Sequence, residues 1–171
     1  MNPRAKVLAF WGAQPRVGTS TLALWSARLQ ASPQPLSCAL VSAGPLRGAS
    51  PTPSPDARTF QQLAPYAGHL TRSTLEHFFD RSPEGLHLIP LDAPGRPPAG
   101  EDAFLRALEA LRPFFELLIV DLPAPAGGPL PAALLEACGE VVVVASFEDS
   151  SLQALQRMEK VLLARHLSLK P

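Results

Sequence analysis

Between Lys6 and Trp25 the chain reads KVLAFWGAQPRVGTSTLALW, an apolar run, a turn, then Gly18 and three hydroxyl residues opening a helical pattern. Such a stretch suits anion binding, because backbone N–H groups converge on a phosphate at a helix N-terminus. Set against the frame of a small residue, four free positions, Gly-Lys and Ser/Thr, it supplies Ala13, then Gln14, Pro15, Arg16 and Val17, Gly18, Thr19 and Ser20. Gly18 lets the backbone approach an anion closely. Ser20 is placed to hold Mg²⁺, and Thr21 to assist the phosphate contacts. Thr19, however, stands where a lysine would reach the phosphates, and Pro15 removes one N–H donor. Arg16 brings the one positive charge of the loop, useful only if its side chain folds inward. Three readings follow from these residues: a strand–turn–helix corner without a ligand, nucleotide or anion binding without turnover, and hydrolysis.

Positioning such a loop requires a sheet and helices, and the chain supplies both. Apolar runs rich in β-formers occupy 6–12, 36–42, 115–122 and 140–147, with a weaker one at 85–92. None alternates cleanly, which predicts parallel strands covered on both faces. Helical patterns lie at 20–31, 101–111, 129–138 and 149–166, with short helices expected at 57–66 and 73–80. Residues 20–31 present one apolar side, Leu22, Trp25 and Leu29, and Pro33 follows the helix end. Strand and helix therefore alternate, and right-handed crossovers then give a three-layer α/β/α sandwich around a mostly parallel sheet of about five strands. The segment 43–56, AGPLRGASPTPSPD, is a Pro/Gly/Ser-rich loop inside a single domain spanning 1–171.

Bulk composition narrows the functional classes. The 171 residues, 46% hydrophobic and 18% charged, can bury a sizeable core. Fifteen basic residues balance fifteen acidic ones, so charge favours neither nucleic acid nor an anionic membrane. No apolar run reaches membrane-spanning length, and a cytoplasmic location is expected. Cys38 and Cys138 fit no metal spacing and read as buried, reduced thiols. His69, His77, His87 and His166 are scattered and read as surface or boundary residues. Glu101–Asp102 and Glu148–Asp149 fall where helices should begin, where acids favour the helix dipole.

In order along the chain, QPRVGTST (14–21), SPEGLHLIP (82–90), LLIVDLPAP (117–125) and VVVVASFEDSSLQALQRMEKVL (141–162) resemble the MinD/ParA family of P-loop ATPases, of the SIMIBI class. The family loop reads K-G-G-V-G-K-[ST]-T. Against it Val17, Gly18, Ser20 and Thr21 are kept, Gln14 replaces the signature lysine, Pro15 and Arg16 replace two glycines, and Thr19 replaces the second lysine. The family's second strand ends in D-x-D, whereas Ser42 and Gly44 stand here. Its Walker B region, an apolar run followed by D-x-P, matches at Asp121. Such loop divergence is similar to that of the CpaE/TadZ branch, which localises pilus machinery. The resemblance covers roughly 5–165 and implies a strand order of 3-2-4-1-5.

The resemblance further implies ATP or ADP with Mg²⁺ as the ligand. Asp121 would then reach the metal through water alongside Ser20, and would be the catalytic residue if the protein is active; otherwise it caps a strand end. Phosphoryl transfer rests on charge stabilisation and positioning, so losing both lysines and both acids implies a pseudo-ATPase. Expected partners are proteins of a pilus, secretion or cell-division machine, and a homodimer. The final helix carries Leu152, Leu155, Val161 and Leu162 on one side. That side is expected to pack on the sheet, which argues against peripheral membrane contact. The chain ends after the fifth strand and its helix, leaving a sheet edge where a partner or a second copy could dock.

Overall fold

The computed structural model describes residues 5–31, 38–42, 58–82, 84–91, 101–122 and 132–163. The loop 43–56, Gly44, Pro123 and His166 lie outside the described residues. Strands β1 (Lys6–Gly12), β2 (Cys38–Ser42), β3 (Asp80–Arg81), β4 (His87–Pro90), β5 (Leu117–Leu122) and β6 (Glu140–Val144) form one sheet. Its order is β3-β4-β2-β5-β1-β6, and every pairing but β3–β4 is parallel. Without β3 this is the 3-2-4-1-5 order that the resemblance implied. The expectation of about five strands is corrected to six, because Asp80–Arg81 turns back on His87 and Leu88 as a short antiparallel hairpin arm. That turn is closed by the Gly85 N–H donating to the Ser82 carbonyl and the Ser82 N–H donating to that of Leu86, each at 2.9 Å. The S-x-E-G-L stretch is therefore a hairpin turn that delivers β4 to the sheet.

The helices are α1 (Thr19–Gln30), α2 (Arg72–Glu76), α3 (Glu101–Leu111), α4 (Ala132–Ala137) and α5 (Asp149–Leu163), with a 3₁₀ segment at Phe60–Tyr66. One sheet face, bearing Val7, Ala9, Trp11, Leu118 and Val120, packs against Phe60 and Leu63, Leu75, Phe104 and Leu108, Leu135, and Met158 and Leu162. The other, bearing Phe10, Leu40, Leu88, Ile119 and Val144, takes Ala23, Leu24 and Ala27 of α1. Successive strand residues point to opposite faces, so runs such as LLIVDL feed both cores at once. Sandwich layering thus holds, but among the described residues α1 is the one helix in the second core.

Three sequence expectations, for β6, α5 and His87, are corrected here, and the apolar side of α1 proves to be its outer one. Leu22, Trp25 and Leu29 face solvent, with Leu29 81% exposed. The alanines opposite them let α1 sit close to the sheet, and the Arg28 guanidinium lies 5.4 Å from the Trp25 ring centre. Strand β6 is not covered on both faces, since Glu140 and Val142 are exposed. On α5, Ser151, Met158 and Leu162 make the inner face, Leu155 is half-buried and Leu152 is exposed. His87 is buried rather than peripheral, set edge-on to the rings of Phe79 and Phe115. Cys38 and Cys138 are free, buried thiols in opposite cores, as expected.

Candidate functional site

Parallel strands bring their C-terminal ends to one side of the sheet, and the sequence-predicted residues gather there. Strand β1 leads through Gly12 into the loop 13–18, and α1 starts at once at Thr19. The loop is pinned to its neighbour by the Ala13 N–H donating to the Val144 carbonyl at 2.8 Å. In register beside it, Asp121 on β5 lies between Phe10 on β1 and Ser42 on β2. Asp121 is 1% exposed, and the Ser42 hydroxyl donates to its Oδ2 at 3.4 Å. The serine at the end of β2 is thus the neighbour of the β5 carboxylate.

The backbone of the loop twice enters the left-handed region. Arg16 has φ 67° and Gly18 φ 92°, both left-handed. Alternating left-handed residues turn successive N–H groups toward one concavity. Left-handed geometry is strained for a residue with a Cβ, and Arg16 holds it where the family places glycine. Gly18 is the N-cap of α1 and offers no side chain to satisfy the first turn. The N–H groups of Thr19, Ser20 and Thr21 therefore stand at the helix start, and the first helical bond is Leu22 N–H to Gly18 carbonyl at 2.9 Å.

The side chains do not complete a triphosphate site. Thr19 turns its hydroxyl back onto Gly12, and a Cβ on Gly12 would collide with it. The residue at the lysine position is thereby spent on packing the loop base. Arg16 is exposed, as are Pro15, Ser20 and Thr21, while Val17, Gly18 and Thr19 are half-buried. Gln14 bridges to the β6–α5 corner: its Nε2 donates to Glu148 Oε2 at 3.4 Å, and its Oε1 accepts from the Ser150 hydroxyl at 3.2 Å. This places a carboxylate beside the loop, with Asp149 next to it at the α5 N-terminus and Phe147 fully exposed alongside. Acids at both helix starts agree with the sequence reading. Glu148 and Ser150 as partners of Gln14 were not foreseen, since nothing in their local sequence points to a residue over a hundred positions away. No lysine stands in the loop 13–18 or the first turn of α1. Among the described residues no group of three or more metal-ligating side chains is assembled, so a metal at Ser20 and Asp121 would depend on other oxygens.

Neither a family model nor a curated protein sequence matches the chain. Solved structures do. A ParA family ATPase from Chlorobium tepidum TLS superposes with a TM-score of 0.77 at 20% identity, over 94% of this chain and 68% of that one. The kinase domain of the Escherichia coli tyrosine kinase ETK gives a TM-score of 0.59 at 20% identity, over 94% of this chain and 64% of that one. The fold is therefore that of a ParA-like P-loop NTPase, and the chain spans about two thirds of the length of these neighbours. No helix among the described residues is long and apolar enough to cross a membrane.

Proposed function

We propose that the protein is a MinD/ParA-like pseudo-ATPase that serves as a scaffold, or as a spatial-localisation or regulatory protein, for a pilus, secretion or cell-division machine. The observation that carries this reading is Thr19, whose hydroxyl lies against Gly12 where a lysine would run out to the phosphates. Exposed Arg16 and the Glu148 carboxylate at Gln14 add to it, because a triphosphate needs concentrated positive charge. The kind of machine follows from fold analogy and sequence resemblance alone. A second reading, a nucleotide-binding sensor or weak ATPase of the same family, is favoured by the left-handed loop backbone and the uncapped start of α1.

Thermal denaturation with and without ATP–Mg²⁺ separates the two, since a ligand at ~100 times its dissociation constant adds about 2.7 kcal/mol. The pseudo-ATPase reading expects no phosphate release above an Asp121→Asn control. It also expects Thr19→Lys to raise nucleotide affinity by restoring the missing ammonium. Robust turnover by the unaltered protein, abolished by Asp121→Asn, would overturn it.

A further inference from the structure

The arm β3 is held to the sheet by few bonds. It is two residues long, both are exposed, and among the described residues it pairs only with β4. Its register sets Asp80 against Leu88 and Arg81 against His87. Because the Ser82 N–H donates to the Leu86 carbonyl, the adjacent pair, Arg81 with His87, is a non-hydrogen-bonded one, the kind whose side chains come closest. There the Arg81 Nε–H donates to His87 Nε2 at 3.2 Å. The bond joins unlike environments, since Arg81 is exposed and His87 is buried. A guanidinium only donates and keeps its charge, so the bond exists only while the imidazole has a bare Nε2. A proton there turns the acceptor into a second donor and sets cation against cation. The other groups around the ring do little to offset this. Phe79 and Phe115 pack on it and supply no hydrogen-bond acceptor. On α2, Arg72 adds a like charge and Glu76 an opposite one, and from β2 the Cys38 backbone favours the charged ring. Burial and the two arginines outweigh these, so the neutral ring is the favoured one in the closed arm.

We propose that Arg81 and His87 form a proton-operated clasp: when the ring takes up a proton, the arm β3 leaves β4 while the parallel strands stay folded. Detachment hydrates the ring, separates the two cations, and gives up only a two-residue ladder and the turn bonds of Ser82. Segments with few bonds and exposed backbone are the ones that open locally, ahead of global unfolding. Opening uncovers the outer edge of β4 at Leu88, which Asp80 covers in the closed arm. The clasp makes no use of the loop 13–18 and does not rest on the nucleotide reading.

Amide exchange read residue by residue, with the intrinsic pH dependence of exchange divided out, tests this. Below about pH 6.5 the Ser82 N–H should lose protection by up to about tenfold per pH unit, the limit for one proton taken up on opening. Ser82 should be less protected than the amides of β1 and β5 throughout. Dilute urea should lower their protection and leave that of Ser82 unchanged, because opening the arm exposes little surface. His87→Gln keeps an acceptor and does not titrate, so the fall at Ser82 should vanish. Arg81→Met, on an exposed site, removes both the donor and the like charge. Ser82 should then be less protected already at neutral pH, and should fall less on acidification. Exchange at Ser82 that follows β1 and β5 in both pH and urea would make the opening global and overturn the proposal. So would an Arg81→Met variant with the parent's full pH dependence, since burial of the ring alone would then account for it.

Discussion

At the loop, two residues of ordinary type hold positions that their neighbours dictate. Gly12 has no room for a side chain because Thr19 fills the space above it, and Arg16 keeps a left-handed backbone that glycine would adopt without strain. Gly12→Ala should cost about 1–3 kcal/mol through overpacking, lowering the melting temperature by ~2–4 °C per kcal/mol in a chain of this size. Removing the obstructing hydroxyl should recover much of that loss, so Gly12→Ala ought to be milder in a Thr19→Ala background. A double-mutant cycle by thermal or urea melting measures the coupling. Additive costs would show that Thr19 is not what excludes the Cβ. Thr19 was legible in the sequence as a missing lysine. That its hydroxyl occupies the space a Cβ on Gly12 would need, seven residues earlier, is a product of the loop's curvature and was not.

At the scale of the element, α1 shows where periodicity misleads. Leu22, Trp25 and Leu29 have helical spacing and read as one apolar side, yet the sheet takes Ala23, Leu24 and Ala27, two of them alanines. Small residues let a helix lie close over strands that are themselves rich in bulky side chains, so volume outweighed hydrophobicity in choosing the inner face. Leu29→Lys should therefore change stability by no more than about 0.5 kcal/mol, as exposed substitutions do. Leu24→Ala should cost about 2–5 kcal/mol through a core cavity. Urea denaturation of the two variants checks this, and a large loss for Leu29→Lys would return the apolar side to the core. The helix expected at 101–111, by contrast, holds at both ends as α3, and its Phe104, Leu108 and Leu111 lie in the core on the other sheet face.

For the whole molecule, stability should depend on pH through His87. Its Nε2 accepts from Arg81 Nε at 3.2 Å, so the folded ring is neutral there. Burial first, and then the Arg81 charge, lower its pKa below the ordinary 6.5; the Cys38 backbone and then Glu76 oppose this, and Arg72 adds to it. Above that ordinary value both folded and unfolded chains carry a neutral ring and nothing changes. Below it the unfolded chain takes up a proton that the folded chain resists, so stability falls with pH until the folded pKa is reached. Urea midpoints should be flat above neutrality and decline below about pH 6.5, and His87→Phe should flatten that part of the decline. An unchanged slope in the variant would assign the effect to other groups. The two thiols, each pushed up to about 12 mainly by burial, add no titration near neutrality.

Sequence by itself determined the layered α/β class, the positions of the principal strands and helices, the course of the loop and that it holds no lysine. These follow from local apolar runs, from Gly18, and from residue identities that no folding can alter. Only the tertiary structure decided that Gln14 reaches Glu148 and Ser150, that Ser42 leans on Asp121, which side of α1 is inside, and that β6 pairs with β1. Each of these depends on which distant segments come to lie side by side. That is set by the competition of all side chains for one core, and periodicity along a single segment cannot express it.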